Sequence, residues 1–331
     1  MVVTLAEPSR EFTGPQSKGA RQTQADAIVL HGDRQAHLEP LALKSPAAGD
    51  VIVKTIWSGV STGTERLFWS GEMPPFPGMG YPLVPGYEAV GRVVESDSPS
   101  HKPGDLVFVP GANCYENASG LFGASASTLI VPGHRATRID GDEDPSWSLL
   151  ALAATAHHAI ERGGTPELII GHGVLGRLAA RLTLALDGPP PTVWEIRPER
   201  MDAQDYAILD PRDDPRMDYR TIMDLSGDSR VIDTAIAHGQ KRVSVTLAGF
   251  YHDRPSFNFP PAFIKEATLH VAAEWTEADL AGVLDLVRRG QLSLGGLITH
   301  IDTPDNADTA YRTAFEDPAC LKLILDWRQR P

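Results

Sequence analysis

Three glycines between residues 171 and 176 form the motif with the most specific chemistry in this sequence. They occur in the segment GHGVLG, a GxGxxG pattern that follows the apolar run 168–170 and precedes an apolar-periodic segment. In such a turn the first glycine permits a tight bend, the second lets the backbone approach a pyrophosphate, and the third allows close packing of helix on strand. The free N–H groups at the start of the helix favour the negative charge of phosphates. The residues that we expect to bind a dinucleotide are Gly171, Gly173, Val174, Leu175 and Gly176.

Glu195, at the end of the next predicted strand, is expected to select the dinucleotide. A carboxylate at this position accepts hydrogen bonds from both ribose hydroxyls and repels a 2′-phosphate, which favours NAD. Arg197 and Arg200 follow closely, and they are the residue types that an NADP site would use; alternatively they belong to a solvated turn. Because Glu195 stands at the strand end itself, we predict NAD as the cofactor and include Arg197 among its candidate contacts.

The glycine turn lies in a part of the chain where predicted helices and strands alternate. The predicted elements are helix 147–161, with Ser146 as N-cap, strand 167–170, helix 174–186 and strands 192–196, 222–225 and 242–248. This order is typical of a doubly wound parallel sheet. A helix at 277–289 and a strand at 321–327 are predicted to follow it.

The first half of the chain has a different sequence pattern. Short β-rich runs separated by Gly, Pro and Asp favour a compact β-barrel or sandwich; they are 27–30, 50–57, 89–95, 105–110 and 128–132. The polar residues 1–25 are expected to be a flexible N-terminal extension. We therefore divide the chain into 1–25, a β domain at 26–146, the alternating domain at 147–275, and 276–331.

Composition excludes several classes of function. The 331 residues have a formal net charge of −13 and no block of Lys or Arg, so nucleic acid and anionic membrane surfaces would be repelled. The only cysteines are Cys114 and Cys320, without CxxC spacing, which argues against a disulfide framework and a thiolate zinc site. No apolar run approaches the roughly 20 residues that span a bilayer, and no secretory signal is evident, so we expect a cytoplasmic protein without stable membrane insertion.

Four segments resemble the medium-chain dehydrogenase/reductase superfamily. They are SGVSTGTE at 58–65, PGYEAVGRVV at 85–94, PGDLV at 103–107 and LITH at 297–300. The resemblance implies an α/β plus β architecture: a GroES-like β-barrel catalytic domain at 26–146, a Rossmann domain with a doubly wound parallel sheet at 147–275, and a return to the catalytic domain at 276–331. It also implies a cofactor cleft between the two domains.

The same resemblance places Ser61 and Tyr87 where the zinc enzymes of the superfamily have Cys and His. A hydroxyl and a phenol cannot replace these zinc ligands at neutral pH, so we expect no metal. Oxidation of an alcohol without a metal needs hydrogen-bond donors and a proton relay. Our hypothesis is that Tyr87 contacts the substrate oxygen and that Ser61 and Thr64 orient it. Glu65 and Glu88 would relay the proton, although Glu88 could instead be structural and Tyr87 could serve only in packing.

His157 is a further candidate for proton transfer. In the superfamily the helix that enters the Rossmann domain borders the cleft, and this helix contains His157 and His158. An imidazole with a pKa near 6.5 suits a proton shuttle. The alternative is a helix histidine that is satisfied by the backbone or by water.

Within the zinc-free branches, segments 58–69, 74–90, 249–265 and 320–327 resemble the bacteriochlorophyllide dehydrogenase family. That family oxidises the 3-(1-hydroxyethyl) group of a bacteriochlorophyllide to 3-acetyl with NAD, so the implied partner is a chlorin. The prolines and glycines of residues 67–85 predict a loop whose apolar side chains suggest a binding wall, and an arginine could pair with the propionate of the substrate. The candidate substrate contacts are Phe68, Trp69, Phe76, Tyr81, Tyr251 and Arg254.

Alternatives remain open at this point. The aromatic residues could instead form a dimer contact or a minor core, and relatives in the superfamily suggest a homodimer by analogy alone. Other candidate functions are a zinc-free quinone or enoyl reductase that uses NADPH, another secondary-alcohol dehydrogenase, a non-enzymatic dinucleotide-binding member, and a chlorin carrier. Cofactor preference and hydride transfer separate these functions.

Overall fold

The computed structural model describes residues 24–75, 78–202 and 204–330. Most of the predicted N-terminal extension and the candidate substrate contact Phe76 lie outside the described residues. Strand β1 includes Gln24 and Ala25, so the last two residues of the predicted extension belong to the β domain. The strands are β1 (Gln24–Leu30), β2 (Ala36–Ala42), β3 (Asp50–Val60), β4 (Leu83–Val84), β5 (Ala89–Ser96), β6 (Leu106–Val109), β7 (Ser119–Gly120), β8 (Thr128–Pro132), β9 (Thr137–Arg138), β10 (Leu168–Ile170), β11 (Thr192–Trp194), β12 (Ala207–Leu209), β13 (Tyr219–Asp224), β14 (Gly239–Leu247), β15 (Thr268–Val271), β16 (His300–Asp302) and β17 (Leu323–Asp326). The helices are α1 (Thr64–Ser70), α2 (Leu150–Gly163), α3 (Val174–Ala185), α4 (Ile232–His238), α5 (Phe259–Lys265), α6 (Glu277–Arg288) and α7 (Ala307–Glu316).

The β domain is built around strand β3. One sheet has the order β16-β17-β3-β5-β6-β9, with β8 also paired to β3, and a smaller sheet has the order β2-β1-β4-β7. The first half of β3 alternates buried and half-buried residues, whereas residues 55–60 are all buried because neighbouring elements cover both faces. Strands β16 and β17 come from the end of the described chain, so residues distant in sequence complete this sheet.

The second domain contains a six-stranded parallel sheet. Its order is β12-β11-β10-β13-β14-β15, which is the 3-2-1-4-5-6 arrangement of a Rossmann fold. Strand β10 is fully buried, as expected of a central strand with helices on both faces. The strand order reverses between β10 and β13, and in such sheets ligands bind in the crevice at the carboxyl ends of these strands. The predicted fold class is confirmed.

Helix α2 connects the two domains and packs against both. Its buried face consists of alanine, leucine and isoleucine, and one continuous core extends from Ile56 and Trp57 of β3 through α2 to Leu178 of α3 and Val283 of α6. Small side chains on α2 allow neighbouring helices to approach closely. The cleft between the domains is therefore bounded by a shared hydrophobic core.

Several observed elements differ from the predictions. Helix α2 is preceded by a 3₁₀ turn at Pro145–Leu149, in which Asp144, not Ser146, caps the backbone by accepting the Ser146 N–H bond at 2.7 Å. Residues 64–70 form helix α1, although part of this segment was predicted as loop. Helix α7 was not predicted. Within the described residues we find no helix that is both long and apolar enough to cross a membrane.

Candidate active site

Two hydroxyls meet where β3 ends and β5 begins. The Oγ atom of Ser61, directly after β3, lies 2.5 Å from the hydroxyl of Tyr87, two residues before β5. The Tyr87 ring packs edge-to-face on Phe122, with centroids 5.5 Å apart. Burial and then the negative charge of Glu88 raise the pKa of Tyr87, so its hydroxyl keeps its proton and can donate a hydrogen bond.

A third hydroxyl lies beside this pair. The Oγ1 atom of Thr64, at the start of α1, is buried and has no hydrogen-bond partner among the described residues, yet it is close enough to favour the ionised form of Tyr87. A buried polar atom without a partner is costly unless a ligand completes its hydrogen bonds. The structure thus brings Ser61, Thr64 and Tyr87 together, as the sequence predicted, in an arrangement that can hold a substrate oxygen.

Glu65 is buried next to the three hydroxyl-bearing residues, and its carboxyl group hydrogen-bonds to the backbone of Ser61 and not to a hydroxyl of the cluster. One carboxyl oxygen accepts the Ser61 N–H bond at 3.2 Å, and the other accepts the Tyr311 hydroxyl at 2.9 Å. Burial, followed by the charge of Glu88, raises the pKa of Glu65 to about 8. Glu65 is therefore protonated at neutral pH, which does not favour the predicted role as a proton acceptor there.

This raised pKa predicts how stability depends on pH. The folded protein holds a proton on Glu65 that the unfolded chain releases above the ordinary value of 4.5. The contribution of Glu65 to stability is therefore fully present below pH 4.5 and is lost as the pH rises through about 8. Glu65→Gln, a neutral mimic, should remove this loss, so denaturant unfolding across the window should show the wild type weakening relative to the variant. Parallel curves for wild type and variant would contradict the prediction; the exposed Glu72→Gln is the control.

Glu88 forms its ion pair with a residue near the end of the described chain. It is completely buried and forms an ion pair with Lys322, whose ammonium group also donates to the Val60 carbonyl at 3.0 Å. A side chain at Gly59 would collide with this carboxylate, because an added Cβ would lie 2.0 Å from its Oε2 atom. The contacts of Glu88 are those of a residue that joins β5 to β17, which is the structural alternative considered for it.

His157 lies on the side of α2 that faces α6, outside the hydroxyl cluster. Its Nδ1 atom is 2.8 Å from one carboxylate oxygen of Asp279, and the Nδ1 atom of His158 is 2.9 Å from the other. Asp279 also caps α6 through Thr276. The structure therefore corrects the predicted placement of His157 at the cleft: its imidazole is held between two helices and contacts none of the three hydroxyls.

The glycine turn connects β10 to α3 with the geometry that the motif predicts. Gly171 has a φ of +97°, which strongly favours glycine. A Cβ on Gly176 would lie 1.9 Å from the Gly171 carbonyl oxygen, so the helix packs directly on the turn. A Cβ on Gly173 would meet nothing closer than 3.7 Å, which leaves room in front of this residue and the N–H groups of Val174 and Leu175. The turn therefore fits a dinucleotide pyrophosphate.

The second and third glycines of the motif should respond differently to substitution. Gly176→Ala should lower the free energy of unfolding by about 1–3 kcal/mol through overpacking. Gly173→Ala should fold with nearly normal stability but bind dinucleotide at least roughly tenfold more weakly, since its methyl group occupies the approach to the phosphates. Urea unfolding and NADH fluorescence titration of both variants test this. Equal stability of the two variants would contradict it.

Glu195 follows β11 and is held by the backbone of the turn. Its carboxylate accepts the N–H bonds of His172 at 3.0 Å, Ile196 at 2.8 Å and Arg197 at 3.0 Å. A carboxylate has about four acceptor sites, so at least one remains for a ribose hydroxyl. The Arg197 side chain is exposed. The structure thus places Glu195 beside the glycine turn and Arg197 at the surface next to it.

Two predicted substrate contacts belong to the core. Phe68 and Trp69 lie on α1 and are 2% and 4% exposed, in a cluster with Tyr311 and Trp327. The prolines and glycines of residues 67–85 predicted a surface loop and a binding wall, but α7 covers both rings. Neither ring is accessible to a chlorin. Tyr81 is partly exposed, with its hydroxyl donating to the Phe68 carbonyl at 2.6 Å, and retains its status as a candidate.

The other two candidates follow β14. The Tyr251 hydroxyl donates to the buried carboxylate of Asp224 at 2.5 Å, so only the half-buried ring could contact a substrate. Arg254 is exposed and could meet a carboxylate from solvent. The sequence gave no indication of Tyr311 or Lys322, which hold Glu65 and Glu88 from more than 230 residues away. Among the described residues, no group of three His, Cys, Asp or Glu side chains could hold a metal ion.

The hydroxyls and the glycine turn lie on two sides of one segment. Lys322 contacts the residue before Ser61, whereas Ala319 and Leu321 line a cavity together with Arg177 and Arg200 next to the turn. Tyr87 also packs against the core that contains Val174. The segment 319–322 therefore contacts the strand that precedes Ser61 and also lines the cavity next to the turn.

Comparison with known proteins identifies the family. Residues 47–141 match the alcohol dehydrogenase GroES-like domain. The chain is 51% identical to 2-desacetyl-2-hydroxyethyl bacteriochlorophyllide A dehydrogenase of Cereibacter sphaeroides over 91% of this chain and 98% of that protein. Its identity to the enzyme of the same name from Rhodobacter capsulatus is 49%, over 92% and 99% of the two chains.

The fold is shared with solved structures as well. The 2R,3R-butanediol dehydrogenase from Bacillus subtilis superposes with a TM-score of 0.78 at 19% identity, over 91% of this chain and 99% of that one. These matches confirm the resemblance to the medium-chain dehydrogenases. With half of its residues identical along nearly the whole length, the chain belongs to the family of the 2-desacetyl-2-hydroxyethyl bacteriochlorophyllide A dehydrogenases.

Proposed function

We propose that this chain, a nicotinamide-dependent alcohol dehydrogenase of the medium-chain type, oxidises the 3-(1-hydroxyethyl) group of a bacteriochlorophyllide to 3-acetyl, with NAD as the electron acceptor. Its relatives named above act on such a chlorin. The observation on which the proposal depends is the hydroxyl cluster of Ser61, Thr64 and Tyr87. It supplies polar contacts for one alcohol oxygen.

The chemistry requires removal of a hydride and a proton from the secondary alcohol. When bound, NAD accepts the hydride from the carbinol carbon. The substrate hydroxyl donates to the oxygen of Tyr87, and Thr64, whose Oγ1 atom has no partner among the described residues, donates to the substrate oxygen and fixes its orientation. As the carbonyl forms, the hydroxyl proton passes to the oxygen of Tyr87, the Tyr87 proton passes to Ser61, 2.5 Å away, and the Ser61 proton passes to water; Tyr87 then donates a hydrogen bond to the carbonyl oxygen. The exposed residues Thr62 and Gly63 lie next to Ser61, where water can take up the proton.

The preference for NAD over NADP is part of the proposal. Glu195 supports it, because a buried carboxylate at the end of β11 would repel a 2′-phosphate. Arg197 and Arg200 would favour the opposite preference if they bound that phosphate. The decisive experiment mixes purified protein with a 3-(1-hydroxyethyl) bacteriochlorophyllide and either NAD or NADP. A red shift of the long-wavelength pigment band together with NADH formation is expected; no pigment change with either cofactor would refute the function.

We also propose that the protein forms a homodimer through the edge of the Rossmann sheet. In the described residues β15 pairs only with β14, which leaves its outer edge open. Next to it lie exposed apolar side chains, including Phe263 at 67% and Ile264 at 72% exposure. Such an edge is self-complementary across a two-fold axis, so a second copy both pairs the strand and covers the apolar side chains.

Charge at this edge should therefore dissociate the dimer. Phe263→Asp should halve the mass measured by analytical ultracentrifugation, because a carboxylate would be buried without a partner. Val94→Asp is the matched control, since Val94 is an exposed apolar residue on β5 of the other domain. A wild type that sediments as a monomer would contradict the proposal.

A further inference from the structure

An arginine side chain lies over the glycine turn. Arg200 ends the short 3₁₀ turn Pro198–Arg200 that follows β11. Its Nη1 atom is 3.7 Å from the position that a Cβ on Gly173 would occupy, and its Nε atom is buried without a hydrogen-bond partner among the described residues. Gly173 is the glycine where the backbone is expected to approach the phosphates. The guanidinium is therefore close to the N-terminus of α3, and both favour an anion.

The backbone that holds this side chain is fixed by buried groups. His172 is fully buried and donates from Nδ1 to the Arg200 carbonyl at 2.5 Å, while its Nε2 atom is 2.8 Å from the Tyr206 hydroxyl. Arg177 donates to the same carbonyl at 3.3 Å and forms an ion pair with Asp202. The positive charge of Arg177 is thus compensated within the protein. His172 of the glycine turn and Arg177 of α3 therefore hold the backbone of Arg200 in place.

The cavity beside Arg200 is lined by residues of both domains. Its volume is about 210 Å³, and the catalytic domain contributes Gly296, Thr299, Pro318, Ala319 and Leu321. Glu199 and Asp202 also line it, so a ligand must reach the guanidinium without contacting these carboxylates. An anion bound to Gly173 and the start of α3 would do so, because the guanidinium extends over Gly173.

We propose that Arg200 binds the diphosphate of the dinucleotide and holds it against the N-terminus of α3. This inference rests on the proposed use of a dinucleotide and adds the residue that neutralises its phosphates. Arg200 lies over the phosphate-approaching glycine, whereas the ribose that could bear a 2′-phosphate would be bound by Glu195. Arg200 therefore contributes affinity for NAD and NADP alike and does not select between them.

Binding of cofactor fragments to Arg200→Gln tests the assignment. Loss of a hydrogen bond to a charged group corresponds to roughly 10- to 100-fold in affinity. We expect that loss for NADH and for ADP-ribose in calorimetric titrations, a similar loss for NADPH, and no change for adenosine. Arg220→Gln is the matched control, since Arg220 is a surface arginine of the same domain. Thermal unfolding by circular dichroism verifies that both variants are folded.

The possible outcomes are distinct. A loss confined to NADPH would make Arg200 a reader of the 2′-phosphate and overturn the proposal, as would unchanged binding of ADP-ribose. A loss for adenosine as large as that for ADP-ribose would also overturn it, because the contact would then be to the nucleoside. If the wild type bound no dinucleotide at all, the proposed function itself would fail. Wild-type binding with an unaffected variant would refute only the role of Arg200.

Discussion

Tyr87→Phe is expected to lower kcat for alcohol oxidation by about 10²–10³-fold, the usual cost of removing one donor from an oxygen-binding site. The variant keeps the ring that packs on Phe122 and loses only the hydroxyl that contacts Ser61. Affinity for NADH should stay within about twofold, since the phenol does not belong to the glycine turn. Steady-state kinetics with the chlorin and fluorescence titration with NADH measure the two quantities.

A matched tyrosine separates the hydroxyl at the cleft from buried tyrosines in general. Tyr219 is also buried, and its hydroxyl donates to Asp214 at 2.8 Å at the other end of the Rossmann sheet. Tyr219→Phe should lower stability by about 0.5–1.5 kcal/mol without changing kcat. If Tyr87→Phe retained full kcat, Tyr87 would serve only in packing and the proposed proton path would be excluded.

Lys322→Met should give the largest loss of stability, about 3–5 kcal/mol, because it leaves the carboxylate of Glu88 buried without a counter-charge. Burial already raises the pKa of Glu88, and loss of the ammonium group raises it further. The folded variant then holds a proton that the unfolded chain releases, so its stability should fall as the pH rises and recover in mild acid. Urea unfolding at neutral and mildly acidic pH measures both effects.

Two further variants make this experiment specific to the buried pair. Glu88→Gln combined with Lys322→Met removes both charges and should recover most of the lost free energy. Lys241→Met, which disrupts an exposed ion pair with Glu266, should cost no more than about 1 kcal/mol. If Lys322→Met were as harmless as Lys241→Met, Glu88 would not depend on the pair for its burial.

The fold class could be predicted from the sequence because the patterns that indicate it are local. A GxGxxG turn between a buried strand and a helix specifies the first βα unit of a Rossmann domain, and Gly171 and Gly176 have the geometry that the motif implies. The pairing of Ser61 with Tyr87 came from a resemblance, since nothing in the spacing of 26 residues requires their hydroxyls to meet.

What the sequence did not reveal depends on contacts between distant residues. Phe68 and Trp69 looked like surface residues of a loop because prolines and glycines follow them, yet α7, some 240 residues later, covers both rings. Tyr311 and Lys322 have no local signature, because their partners Glu65 and Glu88 are more than 230 residues away. His157 is another such case. An imidazole on this helix suggested proton transfer, but Asp279 of another helix hydrogen-bonds to the ring and determines where it lies.

The position of β17 between β16 and β3 has a consequence for synthesis on the ribosome. Domains generally fold in order as the chain emerges, but here residues 57–60 of β3 acquire their partner strand β17 only after residues 323–326 have been made. While the parallel-sheet domain is being translated, the nascent β domain would have an open strand edge. Its Glu88 would also lack the counter-charge of Lys322. We therefore expect the alcohol-binding hydroxyls to reach their final arrangement last, after the nucleotide-binding half has already folded.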